Sequence, residues 1–76
     1  MPRFFFDVYH GPKLARDTDG LEFPRLEEAK RHAHEALGVM LSEAGYEERG
    51  TDFRVAVRDD SGIRVIVSLQ TRVFER

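Results

Sequence analysis

Phe53-Arg54-Val55-Ala56-Val57-Arg58-Asp59-Asp60-Ser61-Gly62-Ile63-Arg64-Val65-Ile66-Val67-Ser68-Leu69 is the stretch that decides the fold. Apolar residues recur at alternate positions on both sides of Asp59-Asp60-Ser61-Gly62, which is the period of a strand, so the stretch reads as a β-hairpin. A two- or four-residue loop would set Val57 against Arg64 and core residues against polar ones. A three-residue loop, Asp60-Ser61-Gly62, pairs Val57 with Val65, Val55 with Val67 and Phe53 with Leu69, and it needs a left-handed residue where Gly62 stands. Face matching and turn chemistry choose the same register.

That register forces Arg58 opposite Arg64 on the face turned away from the core, with Arg54 two residues along and Ala56 opposite Ile66. Like charges directly across a ladder repel, so something must compensate. Inside the chain the candidates are Asp7, Asp59, Asp60 and Glu75. Outside it the candidate is an anionic partner, with Phe5, Tyr9 and Phe74 as stacking surfaces. The last strand is expected to run from Ile63 to Phe74, while its hairpin partner is exhausted near Thr51. Its final residues therefore need another neighbour, either the first strand or a second copy of the chain in an isologous dimer.

Working back toward the amino terminus, Pro24 to Ala44 changes period to about 3.6, with Leu26, Ala29, Ala33, Leu37, Met40, Leu41 and Ala44 in one stripe. This predicts a helix across one face of the sheet. Pro24 suits its first turn, Glu27 and Glu28 suit the positive end of its dipole, and Gly45 suits a left-handed cap. Gly38 stands inside it at a cost of about 1 kcal/mol relative to Ala, on a flank where another backbone could approach. The opening Arg3-Phe4-Phe5-Phe6-Asp7-Val8-Tyr9 is a strand with Phe4, Phe6 and Val8 on one face and Phe5, Asp7 and Tyr9 on the other; His10-Gly11-Pro12 turns it toward a short second strand, Lys13 to Asp17.

Composition bounds the function. The 76 residues hold 12 Lys and Arg against 14 Asp and Glu, no cysteine and no long apolar run. This leaves room for one domain, residues 1–76, and rules out disulfides, thiolate nucleophiles and cysteine-ligated zinc. Nothing resembles a signal peptide or membrane span, so the cytoplasm is the expected compartment and no membrane partner is expected. His32 and His34 lie about 200° apart on the helix and cannot chelate one ion. His34-Glu35-Ala36-Leu37-Gly38 puts Gly38 where a zincin helix needs its second histidine. Asp17-Thr18-Asp19-Gly20 opens like a calcium loop, but its glycine comes too early and no ligand series follows. His10 has no orienting partner, and Glu27-Glu28, Glu47-Glu48 and Asp59-Asp60 are adjacent pairs on exposed elements. No cofactor, metal or catalytic residue is assigned.

The opening Met1-Pro2-Arg3-Phe4-Phe5-Phe6-Asp7-Val8, the central Asp17-x-x-Gly20-Leu21-Glu22-Phe23-Pro24-x-Leu26-Glu27-x-Ala29, and Val57-Arg58-Asp59-x-x-Gly62 together resemble a family of short bacterial proteins of unknown function. The resemblance covers nearly the whole chain and carries no activity with it. It departs at Arg25, where an aspartate or similar cap is usual, which leaves the helix start less well specified. An early hairpin followed by a Leu26-Glu27-Glu28-Ala29 helix onset is also loosely similar to the toxin-binding domains of HicB-type antitoxins.

The expected architecture is α+β, ββαββ, a four-stranded and mainly antiparallel sheet with one helix on one face. The expected role is a non-catalytic protein-interaction module, self-associating or meeting another protein. The rival is a nucleic-acid or anionic-ligand binder. The candidate partner-binding face comprises Phe5, Tyr9, Arg54, Arg58, Arg64, Arg72 and Phe74. Against the rival, ten arginines and two lysines are offset by fourteen carboxylates, and steep salt-dependent affinity needs a surplus.

Overall fold

A computed structural model describes residues 1–76. Strand β1, Arg3–His10, turns at Gly11 (φ +58) into β2, Lys13–Ala15, with Val8 opposite Ala15 and His10 opposite Lys13. β2 ends two residues earlier than expected. The chain then leaves the sheet edge for five residues and returns as a two-residue strand, β3, Leu21–Glu22, which pairs again with β1 through Arg3 and Phe4. This third small strand is an addition to the ββαββ order. The α+β class and the antiparallel pairing stand.

Helix α1 spans Leu26–Ala44 and begins two residues later than Pro24. Arg25 occupies the cap position in an extended conformation and makes no capping bond; its guanidinium instead reaches Glu28 at 2.6 Å. Proline thus precedes the helix rather than filling its first turn. The helix stops at Gly45 (φ +75, ψ −163), a conformation in which a side chain would be strained. Ala29, Ala33 and Leu37 form its buried line, and the two alanines let the helix lie close against the sheet.

Strands β4, Thr51–Asp59, and β5, Gly62–Thr71, form the expected hairpin, with Val57 opposite Val65, Val55 opposite Val67 and Phe53 opposite Leu69. β1 pairs with the other edge of β4, so the order across the sheet is β2-β1-β4-β5 and the longest strand, β5, is an edge. The core is Phe4, Phe53, Val55 and Val57 from the sheet against Ala29, Ala33 and Leu37 from the helix. Val65, Val67 and Leu69 of β5 pack at its margin, only half-covered. A valine fully removed from water contributes about 1.5–3 kcal/mol, and Val55 and Val57 both are.

Three expectations about the hairpin change. The loop is two residues, Asp60-Ser61, rather than three, because Gly62 pairs with Asp59 as the first residue of β5; the ladder then shifts between Val57 and Arg58, so Ile63 stands opposite Arg58 and Arg64 is the extra residue of a bulge that restores the expected register beyond it. Arg58 and Arg64 therefore do not face each other. The last strand ends at Thr71, opposite Thr51, and Arg72–Arg76 lie outside the sheet; β1, already on the far side of β4, gives them no neighbour.

Candidate functional site

The face left bare by α1 carries Phe5, Asp7 and Tyr9 from β1 opposite Arg58, Ala56 and Arg54 from β4. These side chains interlock. The Arg54 guanidinium lies over the Tyr9 ring, 5.3 Å from its centre, and that of Arg58 lies over Phe5 at 4.6 Å. Beneath them Asp7 is only 5% exposed and Ala56 1%, although both point away from the helix.

Asp7 is the centre of a closed polar knot. The Arg58 Nε–H donates to its Oδ2 at 2.8 Å, and the Asp17 backbone N–H donates to its Oδ1 at 2.9 Å. Arg58 Nη2 also donates to the Asp17 carbonyl at 2.6 Å. The Asp17 carboxylate in turn accepts the backbone N–H groups of Phe6, Asp19 and Gly20 at 3.0–3.1 Å. The loop that leaves the sheet between β2 and β3 is thereby fastened to β1, and its carboxylate takes the place of a neighbouring strand at Phe6. Gly20 (φ +70) is required here: a Cβ would lie 2.8 Å from the Phe4 carbonyl and 2.9 Å from the Phe5 ring.

The electrostatics follow. Burial pushes the Asp7 carboxyl up, but the hydrogen bonds from Arg58 and Asp17 and the charges of Arg58 and Arg16 outweigh it, holding the group below its ordinary 3.8. Burial likewise opposes ionisation of Asp17, and its three backbone donors and Arg58 again prevail. Asp59 is also lowered, by the Ser61 hydroxyl and N–H and by Arg64, whose Nη1 lies 2.7 Å from it. The compensation expected within the chain is thus supplied by Asp7 for Arg58 and by Asp59 for Arg64.

Of the seven residues assigned to a partner-binding face, the structure brings together Phe5, Tyr9, Arg54 and Arg58. Arg64 sits in the bulge on Asp59. Arg72 and Phe74 lie past the end of β5, with Phe74 85% exposed. His32 packs its ring on Phe6 and Phe23 on one flank of the helix, and His34 opens toward β5 on the other. Asp17 was missed as an organising residue. The available signal was Asp17 followed by Gly20 three residues on, the pattern of an Asx turn.

The second feature is the outer edge of β5. Val65-Ile66-Val67-Ser68-Leu69-Gln70-Thr71 holds no charge and no proline, and no strand pairs with its outer side. The opposite edge is guarded: β2 is three residues long, begins with Lys13 after Pro12, and gives way to the Asp17 loop. Above β5, α1 leaves a groove of about 370 Å³ between Glu27, Lys30, Arg31, His34 and Val67.

These features define a small α+β domain with a polar face knotted around Asp7, a buried Asp52 Oδ1 on that same face without a hydrogen-bond partner, and one open strand edge. The chain belongs to the family described as Domain of unknown function (DUF6894), matched over residues 3–70. No curated protein and no solved structure matches it. No helix is long and apolar enough to cross a membrane.

Proposed function

We propose that the domain is a non-catalytic protein-interaction module that self-associates by adding a strand to the outer edge of β5. The observation that carries this reading is the contrast between the two sheet edges. A long, uncharged, proline-free edge strand is a template for another strand, and proteins that stay monomeric blunt such edges. Here only the bulge at Arg64 does so, and it leaves the seven residues from Val65 to Thr71 open. An antiparallel edge of this kind is complementary to itself about a two-fold axis. Ile63 and Ile66, each more than half exposed, add apolar surface on the open face.

The nucleic-acid reading draws less support, because Arg58 and Arg64 each hold a carboxylate of the same chain and are not free to meet phosphates. Sedimentation velocity from micromolar to millimolar concentration tests the self-association. A dimer is expected for the wild type, and the double substitution Ile66→Lys, Ser68→Lys should yield a folded monomer, since both positions are exposed and lysine guards an edge. A wild-type chain that stays monomeric throughout refutes the proposal. Low-salt binding of labelled single-stranded or duplex oligonucleotides, with no dimer formed, would favour the rival.

A further inference from the structure

We infer that the end of the sheet around Asp52 is a binding site for a free α-amino acid, whose ammonium group is held by the Asp52 carboxylate and whose carboxylate lies between Arg49 and Arg72. This site goes beyond strand addition and does not depend on it.

Asp52 stands on the face turned away from α1, two residues before Arg54 in β4. Its Oδ1 is buried and accepts no hydrogen bond, the one buried side-chain oxygen or nitrogen of the chain left in that state. A buried acceptor without a partner is unfavourable, so a donor belongs beside it. The chain does not supply one. The Gly11 N–H donates to the Asp52 carbonyl at 3.1 Å, the Gly50 N–H to the Glu47 carbonyl at 3.0 Å and the Thr51 N–H to the Thr71 hydroxyl at 2.8 Å, so the neighbouring backbone donors are spent. Gln70 faces Asp52 across the ladder without bonding to its Oδ1. On the other side Gly11 brings no side chain, and a Cβ there would meet no atom within 4 Å.

The backbone also places two cations. Gly50 (φ +91) lies so close to the end of β5 that a Cβ would collide with the Thr71 carbonyl. That approach brings Arg49, just before Gly50, and Arg72, just after Thr71, to one groove of about 210 Å³ that Asp52 and Gln70 also line. Neither guanidinium forms an ion pair within the chain. A second groove, about 380 Å³, shares Gly50, Thr51 and Asp52 with the first and carries Lys13 and Glu47.

Charge then selects the ligand. A lone anion at Arg49 and Arg72 is repelled by Asp52, and a lone cation at Asp52 is repelled by the two arginines. A metal ion lacks ligands, since no three acidic or histidine side chains converge here. A molecule that carries an ammonium and a carboxylate on one carbon satisfies all three side chains with charge-assisted hydrogen bonds. The side chain of that molecule has the second groove, where Lys13 and Glu47 suit a polar one.

Backbone amide NMR shifts of the full chain test the site. Glycine and glutamine, added as probes, should each shift the amides of Gly50, Thr51, Gln70 and Thr71. Acetate and methylammonium, the two halves of glycine, should bind at least about tenfold more weakly. Asp52→Asn should weaken glutamine about tenfold or more without lowering the melting temperature, because the Oδ1 it replaces has no bond in the chain to lose. Arg72→Gln, at an exposed position, should weaken glutamine in the same way and leave the fold unchanged. Acetate binding as tightly as glycine, or glutamine binding unchanged in Asp52→Asn, overturns the assignment in favour of a plain anion site. Methylammonium binding as tightly as glycine overturns the part given to the arginines. A Gln70 side-chain amide slowed in exchange by a bond to Asp52, or no shift with either amino acid, removes the site altogether. None of these outcomes turns on whether the chain dimerises.

Discussion

Asp7→Asn is the sharpest probe of the polar knot, because it keeps the shape of the side chain and removes only its charge and one acceptor. The amide oxygen can still accept the Asp17 N–H, but an NH₂ group then meets the Arg58 Nε–H where Oδ2 stood. Arg58, 18% exposed at its side chain, is left with a ring and a carbonyl as its only neighbours of note. Losing a hydrogen bond between charged groups costs about 1.5–3 kcal/mol, and breaking a buried ion pair about 3–5. A partly buried pair such as this should therefore cost about 3 kcal/mol. A chain this short holds about 4–11 kcal/mol in all, so the variant should melt roughly 12–24 °C lower, as read by circular dichroism. The cycle with Arg58→Met should return a coupling of about 2 kcal/mol. The pH dependence has a definite sign. The folded pKa of Asp7 lies below its unfolded 3.8, so its contribution is complete above that value and is lost as pH falls through the lower, folded one. The gap between wild type and variant should thus be constant near neutrality and close below pH 3.8. A coupling below about 0.5 kcal/mol, the level of an exposed pair, would refute the reasoning.

Three further outcomes are expected. Asp17→Ala removes the acceptor of three backbone donors and should cost about 2 kcal/mol, with the Phe6 amide exchanging faster in hydrogen-exchange measurements while the β4–β5 amides stay protected. Gly20→Ala should destabilise by about 2 kcal/mol or more in urea titration, because both its backbone conformation and its contact with the Phe4 carbonyl exclude a Cβ. Arg25→Ser should raise the melting temperature by a few degrees, since it supplies the missing helix cap and gives up only an exposed ion pair.

What was legible in the chain was whatever depended on periodicity. Alternation through Phe53–Leu69 was enough to pair Val57 with Val65, although the chain reaches that register by a two-residue loop and a bulge rather than a three-residue loop, and the 3.6-residue stripe placed Ala29, Ala33 and Leu37 inward. Asp7 and Asp59 were legible as partners for the arginines because charge has to be balanced locally. The bulge was not, since a pattern of side chains does not record where one residue slips out of a ladder; the cost of facing arginines was resolved by that slip as well as by ion pairing. Asp17 escaped for a related reason. Its partners are backbone N–H groups of β1 and of its own loop, and no residue type announces them. The strand order, with β1 beside β4, rests on contacts across more than forty residues that local patterns do not encode.

The bond from Arg58 to Asp7 joins positions 51 residues apart, and β1 can find its long neighbour only after Thr51–Asp59 have been made. Phe4 and Phe6 are synthesised more than forty residues ahead of the hairpin strand that completes their side of the core. Folding of this small domain is therefore paced by a long-range closure, with the β4–β5 ribbon as the template on which β1 docks.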